Sequence, residues 1–443
     1  MSDNVKIFGK INKFNSKIEV SGDKSLSIRW LLLSSTAIGK SKGYNLLNSE
    51  DVKSTINALL KLGINIKKKN SYYEVEGIGL NNFKIKKNCI IDAGNSGTLA
   101  RLILGILSGS KGKVKIIGDN SLSKRDFGRV IKPLRNFGVN ISSKQNRLPL
   151  LINGTNFLRP IKYFEKIGSA QVKSMCCFCA MNTPGTTEII AAKSRDHSEI
   201  LLKKIGVKIK IKKNKTLDII KITGKKNYKA FNYKIPGDIS SASFFIVLTL
   251  LAKNSKLIIK NVNINKSRTG IIDCLKKMNC KIKLLNKRIY MGEKLANIFI
   301  QSSNNLKSIN CPKSINSRAI DEMLLLFFVA SVAKGTSTFK NLDELNKKES
   351  KRLDWGFKIL KMIGVKTQKI RKNNGIKIFG NPKLNLNGNF EIKNFLKDHR
   401  IFMLCMIIAL TRGGNWKVFD KSSVNTSFPT FLSILKKLGA KFS

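Results

Sequence analysis

Acidic side chains are scarce in this chain. Against 83 Lys and Arg stand 27 Asp and Glu, giving a formal net charge of +56 over 443 residues. Such a balance favours anionic partners, because clustered cations attract phosphates. The basic residues are scattered, however, with no basic tail and no low-complexity block. Lys, Asn and Ile are enriched together along the whole length, the pattern an AT-rich genome produces, and this bias explains the excess more simply than a polyanion surface. The charge should still help a small anion approach a cleft. Histidine is nearly absent, with 2 residues, and the 8 Cys are dispersed. Cys176, Cys177 and Cys179 lie inside an apolar run with neither His nearby, a spacing that matches no common zinc site. These cysteines read as reduced and mostly buried. Long apolar runs are missing too. Met323–Ala333 and Phe244–Ala252 are too short to span a bilayer. The opening MSDNVKIFGKINKF has neither an apolar signal core nor a transit-like leader. A cytoplasmic protein without membrane association is expected. There is no P-loop, no G-x-G-x-x-G, and no Pro/Gly/Ser linker dividing the chain.

What is present is a repeat. Six stretches share the pattern Leu-x-x-apolar-Gly-apolar-x-apolar: Leu59–Ile66, Leu134–Ile141, Leu202–Ile209, Leu275–Ile282, Leu360–Thr367 and Leu435–Phe442. Asn279 replaces Gly in the fourth and Thr367 ends the fifth. The punctuating residues Gly63, Gly138, Gly206, Asn279, Gly364 and Gly439 are 75, 68, 73, 85 and 75 positions apart. Leu and the apolar residue three places on share a helix face. Gly or Asn suits the left-handed close of a helix, and the alternation that follows suits a strand. Six such units predict a duplicated α/β architecture. The turn Ile235–Asp238 is the natural boundary, with three signatures on each side, and a cleft between two such domains is a natural ligand site.

The residues with chemistry fall at predicted strand-to-helix junctions. Gly22–Arg29 (GDKSLSIR) opens an apolar helix that Ser25 or Ser27 can cap, with Lys24 and Arg29 beside amides that favour anions. Gly94–Arg101 (GNSGTLAR) repeats this logic, with Ser96 or Thr98 as the cap. Ser121–Arg129 supplies Lys124 and Arg125. Gly168–Met175 (GSAQVKSM) brings Ser169, Gln171 and Lys173. Lys193–Glu199 adds Ser194, Arg195 and His197. The second half contributes acids. Asp321 and Glu322 stand at the mouth of a very apolar helix, where a carboxylate either stabilises the N-terminus or serves as a desolvated base. Lys348, Glu349 and Arg352 follow, with Lys348 and Arg352 spaced to share a helix face. Arg400 precedes another apolar helix, next to His399. Cations at helix starts plus two acids suit a substrate pair rich in phosphate and carboxylate.

Taken in order, these strings resemble the 5-enolpyruvylshikimate-3-phosphate synthase family over nearly the whole chain, through to Ser427–Phe442. SAQVKS, SRDH and SFPTF resemble its class II bacterial branch. The resemblance implies an α/β fold of two inside-out barrel domains, each of three βαββαβ units. Residues 1–21 with 236–443 would form one domain and 22–235 the other, with the active site in the cleft between them. It implies transfer of the enolpyruvyl group of phosphoenolpyruvate to the 5-hydroxyl of shikimate 3-phosphate, in the shikimate pathway, through a tetrahedral intermediate that expels phosphate. No metal or organic cofactor is implied, and the enzyme is expected to be a monomer. Carried over by motif, Lys24, Ser25, Arg29, Ser169, Ala170, Gln171, Ser194, Asp321 and Lys348 would hold shikimate 3-phosphate. Lys24, Asn95, Gly97, Arg125, Gln171, Arg352 and Arg400 would hold phosphoenolpyruvate. Asp321 would accept the proton of the 5-hydroxyl, with Glu349 and Lys24 as proton-transfer partners.

Four positions depart from the family pattern. Asp126 follows Arg125 where Pro is common, Lys351 replaces an acid, Phe402 replaces a small residue, and Ala170 stands where some members have Ser. The family is the target of glyphosate, a competitor of phosphoenolpyruvate, and tolerant class II members carry Ala at the position of Gly97. Two other functions compete. The sister transferase acting on UDP-N-acetylglucosamine uses a reactive Cys in a loop at about Ser121–Arg125, where this chain has none. A nucleic-acid-binding or RNA-end-processing protein would concentrate cations and aromatics on one face, and no such clustering is visible, so no nucleic-acid partner is expected.

Overall fold

All six signatures close a helix with the same hydrogen bond. In the computed structural model, which describes residues 3–443, Gly63, Gly138, Gly206, Gly364 and Gly439 have φ between +74° and +94°, and Asn279 has +66°. At each, the next amide reaches back to the carbonyl of the signature leucine: Ile64 to Leu59, Val139 to Leu134, Val207 to Leu202, Cys280 to Leu275, Val365 to Leu360 and Ala440 to Leu435, at 2.9–3.0 Å. This is the six-to-one bond of a Schellman cap. The left-handed conformation costs an ordinary L-residue about 1–2 kcal/mol, so Gly or Asn is selected. Room is not the reason, since a Cβ added at Gly206, Gly364 or Gly439 would meet nothing within 4 Å. The six leucines themselves are buried, tying each cap to a core.

Among the described residues, six sheets accompany the six signatures. In the sheet of Cys89–Asp92, Gly112–Ile117, Asn140–Ser143 and Leu150–Gly154, the first two strands are parallel, with Ile91 opposite Ile116. The last strand lies antiparallel between the second and third. Lys162–Glu165, Thr186–Ala192, Ile209–Lys213 and Leu217–Thr223 repeat this arrangement. The sheet of Ile38–Tyr44, Asn65–Lys68 and Tyr72–Ile78 borrows its parallel strand from Tyr233–Lys234, far along the chain. The other three sheets are variants. Asn15–Glu19 is parallel to Lys256–Asn263, and Leu386–Ile392 is parallel to Gly413–Phe419, whose other edge takes Asn4–Phe8. Thr336–Phe339 has only a parallel bridge, from Asn310 to Thr338, in that place.

The chain divides into two compact units. One comprises the chain up to Ser21, Pro236–Ile289 and Lys294–Ser443; the other comprises Gly22–Ile235 with the short segment Tyr290–Glu293. Among the described residues, each unit holds three sheets and three helices buried nearly all round. In the second unit these helices are Lys24–Ser35, Gly97–Leu107 and Ala170–Asn182. In the first they are Ile239–Leu251, Met323–Ser331 and His399–Arg412. Every residue of Met323–Ser331 is buried, as its MLLLFFVAS sequence, apolar on all faces, requires. Gly105 permits close helix packing, since a Cβ there would fall 2.4 Å from the Met175 carbonyl oxygen. Strands such as Thr186–Ala192 bury alternate residues, packing one face on the helices and leaving the other to solvent. Helices therefore fill the centre of each unit and sheets form its outside. Among the described residues no helix is long and apolar enough to cross a membrane.

Candidate active site

The buried helices begin where the sequence places its chemistry. Lys24–Ser35 is capped by Asp23, whose Oδ1 accepts from the Leu26 amide at 2.9 Å, rather than by Ser25 or Ser27. Ser27 is drawn elsewhere: its hydroxyl donates to the Asp23 carbonyl and accepts from the Leu47 amide. Lys24 pairs with Asp51 at 2.9 Å. Arg29 is buried and donates to Ser198 at 2.8 Å, Ser174 at 2.9 Å and the Ser25 carbonyl at 3.0 Å. Lys173 and Glu199 form a buried pair at 2.6 Å. Burial alone would lower the Lys173 ammonium, but Glu199 outweighs it and the net shift is upward.

Ser96 caps Gly97–Leu107, accepting from Leu99 at 3.2 Å. Beside it Asn95 bridges Asp119 and Arg125, donating at 2.6 Å and accepting at 3.1 Å. Arg125 Nε is buried with no hydrogen-bond partner among the described residues. Ser169 caps Ala170–Asn182, so Ala170 is the first helical residue, and Gln171 reaches across to Thr98 at 3.1 Å. Under this turn the buried Glu165 accepts the amides of Ile167, Gly168 and Ser169. Burial lifts its carboxyl above the ordinary value in spite of those bonds. The Ser194 hydroxyl is buried and lacks a partner among the described residues.

In the other unit, three cations surround one carboxylate. Asp321 has Lys348 Nζ and Arg352 Nη1 each at 3.4 Å and Arg400 Nη2 at 3.9 Å. Arg400 Nη1 also donates to the Asp321 carbonyl at 3.0 Å. Lys348 and Arg352 do not share a helix. A 3-10 turn ends at Lys347, Lys348 is extended, and the helix begins only at Arg352. Both reach Asp321 all the same, from a loop and a helix start. Arg352 is held by a bidentate bond to Asp398, Nε–Oδ2 2.8 Å and Nη2–Oδ1 3.1 Å, and by Glu349 at 2.5 Å. Asp398 also accepts from Ser350 at 2.8 Å and caps His399–Arg412 through the Arg400 amide at 3.0 Å. Burial pushes the Asp398 carboxyl up, yet the Arg352 guanidinium holds it below the usual aspartate value. Sequence spacing does not reveal Asp398 as the anchor of Arg352, although an Asp just before an apolar helix is a capping signal.

The arrangement offers an acid–base carboxylate amid guanidinium and ammonium groups in one unit, and serines, amides and cations at helix starts in the other. The family model for EPSP synthase (3-phosphoshikimate 1-carboxyvinyltransferase) matches residues 9–435. The chain belongs to the EPSP synthase family. It is 37% identical to the 3-phosphoshikimate 1-carboxyvinyltransferase of Zymomonas mobilis over 438 residues, covering 98% of this chain and 96% of that protein. The solved EPSP synthase of Acinetobacter baumannii superposes with a TM-score of 0.87 at 32% identity, covering 99% of each chain. The enolpyruvyl transferase NikO of Streptomyces tendae shares the fold, with a TM-score of 0.77 at 13% identity over 100% and 99% of the two chains.

Within the EPSP synthase family the departures of this chain acquire structural explanations. Asp126 turns its carboxylate to the Gly128 amide at 2.8 Å, at the start of helix Gly128–Asn136, so a local turn absorbs its charge. Phe402 is wholly buried in the core of its unit. Lys351 is exposed at the cap position before Arg352.

Proposed function

We propose that the chain transfers the enolpyruvyl group of phosphoenolpyruvate to the 5-hydroxyl of shikimate 3-phosphate by addition and elimination, releasing phosphate. The cluster around Asp321 carries this assignment: a half-buried carboxylate with Lys348, Arg352 and Arg400 within 4 Å is suited to take a proton next to bound anions. Asp321 takes the proton of the 5-hydroxyl as it attacks the enol carbon. Glu349 and Lys24 carry the proton delivered to the methylene and later withdrawn. Arg352, Arg400, Arg125 and Lys24, with Asn95, Gly97 and Gln171, receive phosphoenolpyruvate. Lys24, Ser25, Arg29, Ser169, Ala170, Gln171, Ser194, Asp321 and Lys348 receive shikimate 3-phosphate. The enzyme is a cytoplasmic monomer.

Mixing the purified protein with both substrates should release inorganic phosphate only when both are present. Release with phosphoenolpyruvate and UDP-N-acetylglucosamine instead would assign the sister activity.

A further inference from the structure

Glu322 follows Asp321 and has no part in the chemistry above. It is fully buried, a costly place for a carboxylate without partners. Ser240 Oγ donates to its Oε1, and Arg400 Nη1 lies 3.9 Å from the same oxygen. Behind Ser240 stands Arg268, buried, whose Nη2 donates to Ser240 Oγ at 2.8 Å and to Asp238 Oδ1 at 3.0 Å. The bond directions are forced. A guanidinium has only donors, so Ser240 Oγ accepts from Arg268 and its single proton goes to Glu322. Asp238 caps the helix Ile239–Leu251 through the Ser240 amide at 2.8 Å, so the series starts from a rigid element. It ends at ion-pair distance from Arg400 Nη1, 3.9 Å away, a nitrogen that donates to the Asp321 carbonyl at 3.0 Å.

We propose that Glu322 is a positioning residue that, held by Ser240 and Arg268, orients the Arg400 guanidinium and so sets the affinity for phosphoenolpyruvate. This rests on the assignment of Arg400 to that substrate. A guanidinium recognises a carboxylate or phosphate as a planar fork, so its orientation matters as much as its charge. Ser240 and Arg268 fix Glu322 from one side, and Glu322 and the Asp321 carbonyl engage the same nitrogen of Arg400.

Steady-state kinetics of Glu322→Gln, Glu322→Asp, Ser240→Ala, Arg400→Ala and the Glu322→Gln/Arg400→Ala double variant test this. Glu322→Gln should raise KM for phosphoenolpyruvate about tenfold and KM for shikimate 3-phosphate less than about twofold. Glu322→Asp should recover part of the loss, and the double variant should be no worse than Arg400→Ala alone. Equal rises in both KM values, or additive losses in the double variant, would overturn the proposal. If Glu322→Gln fails to fold, Ser240→Ala carries the comparison: a smaller rise confined to phosphoenolpyruvate supports the role, and no rise overturns it. Arg400→Ala separates the two levels. An unchanged KM for phosphoenolpyruvate there would remove the assignment of Arg400 and the proposal with it. A large rise there, with none in Glu322→Gln, would remove only the positioning role.

Discussion

If Asp321 is the base proposed above, exchanging a single atom of it should change the chemistry. Asp321→Asn keeps the shape and one acceptor for Lys348 and Arg352 but removes the proposed base. Turnover should fall about 10²–10⁴-fold, with shikimate 3-phosphate binding largely kept. Calorimetric binding alongside turnover checks this, and near-normal turnover would take Asp321 out of the proton-accepting role. Arg125 is the proposed counterpart for phosphoenolpyruvate. It is oriented by Asn95, and its Nε lacks a partner among the described residues. Arg125→Ala should raise KM for phosphoenolpyruvate far more than KM for shikimate 3-phosphate; equal losses would mean that it acts through the general field. Gly97 adjoins this guanidinium. A methyl group there would stand 2.7 Å from Arg101 Nη1 and 3.1 Å from Arg125 Nη1, both ends of flexible side chains that can yield. With Gly rather than Ala at this position, the wild-type enzyme should be glyphosate-sensitive. Gly97→Ala should raise the inhibition constant roughly tenfold and KM for phosphoenolpyruvate by less, because the inhibitor is the longer ligand. A glyphosate titration decides it: a wild-type enzyme as tolerant as the variant would show that Gly97 does not set sensitivity.

At the scale of elements, the helix caps repeat one solution six times. Gly364 has φ of +74° and an open surrounding, so Gly364→Ala tests backbone strain alone. It should destabilise by about 1 kcal/mol or more, and Gly364→Asn by less. Asn279→Gly should be neutral or stabilising. Urea midpoints measure all three, and an unshifted Gly364→Ala would mean that the cap relaxes out of the left-handed region. These caps were legible in the sequence because a local conformation needs a particular residue within a short window. The cap before Gly97–Leu107 falls into the same class, with Ser96 taking it rather than Thr98, whereas the cap role of Ser169 is not read from the sequence. The cap of Lys24–Ser35 falls to Asp23 and not to Ser25 or Ser27, because several polar residues crowd one turn and Ser27 is engaged by Leu47, a partner remote in sequence. Lys348 and Arg352 were placed on one helix by spacing, which carries no sign of the break at Lys348–Lys351. The pairs Lys24–Asp51, Arg352–Asp398 and Ser240–Glu322 join residues 27 to 82 positions apart; no periodicity encodes them, and only the packed helices bring them together.

Charge belongs to the molecule as a whole. The excess of +56 is spread along the chain, and both proposed substrates are anions. Many weak, distant attractions add to a field that speeds anion encounter without altering the contacts made after binding. Salt screens that field over about 10 Å at 0.1 M ionic strength, whereas the buried bonds around Arg352 lie too close and too dry to be screened comparably. kcat/KM for phosphoenolpyruvate should therefore fall roughly tenfold as sodium chloride rises from about 0.01 M to about 0.5 M. kcat should change much less, since saturated enzyme no longer depends on encounter. Steady-state rates at constant pH measure both. Chloride is the suitable anion, because sulfate or phosphate would also compete for the guanidinium groups and mimic the effect. A salt-independent kcat/KM would leave the basic excess as compositional bias with no part in substrate capture. A parallel fall in kcat would instead point to screening inside the site, where Lys348 and Lys24 retain some exposure.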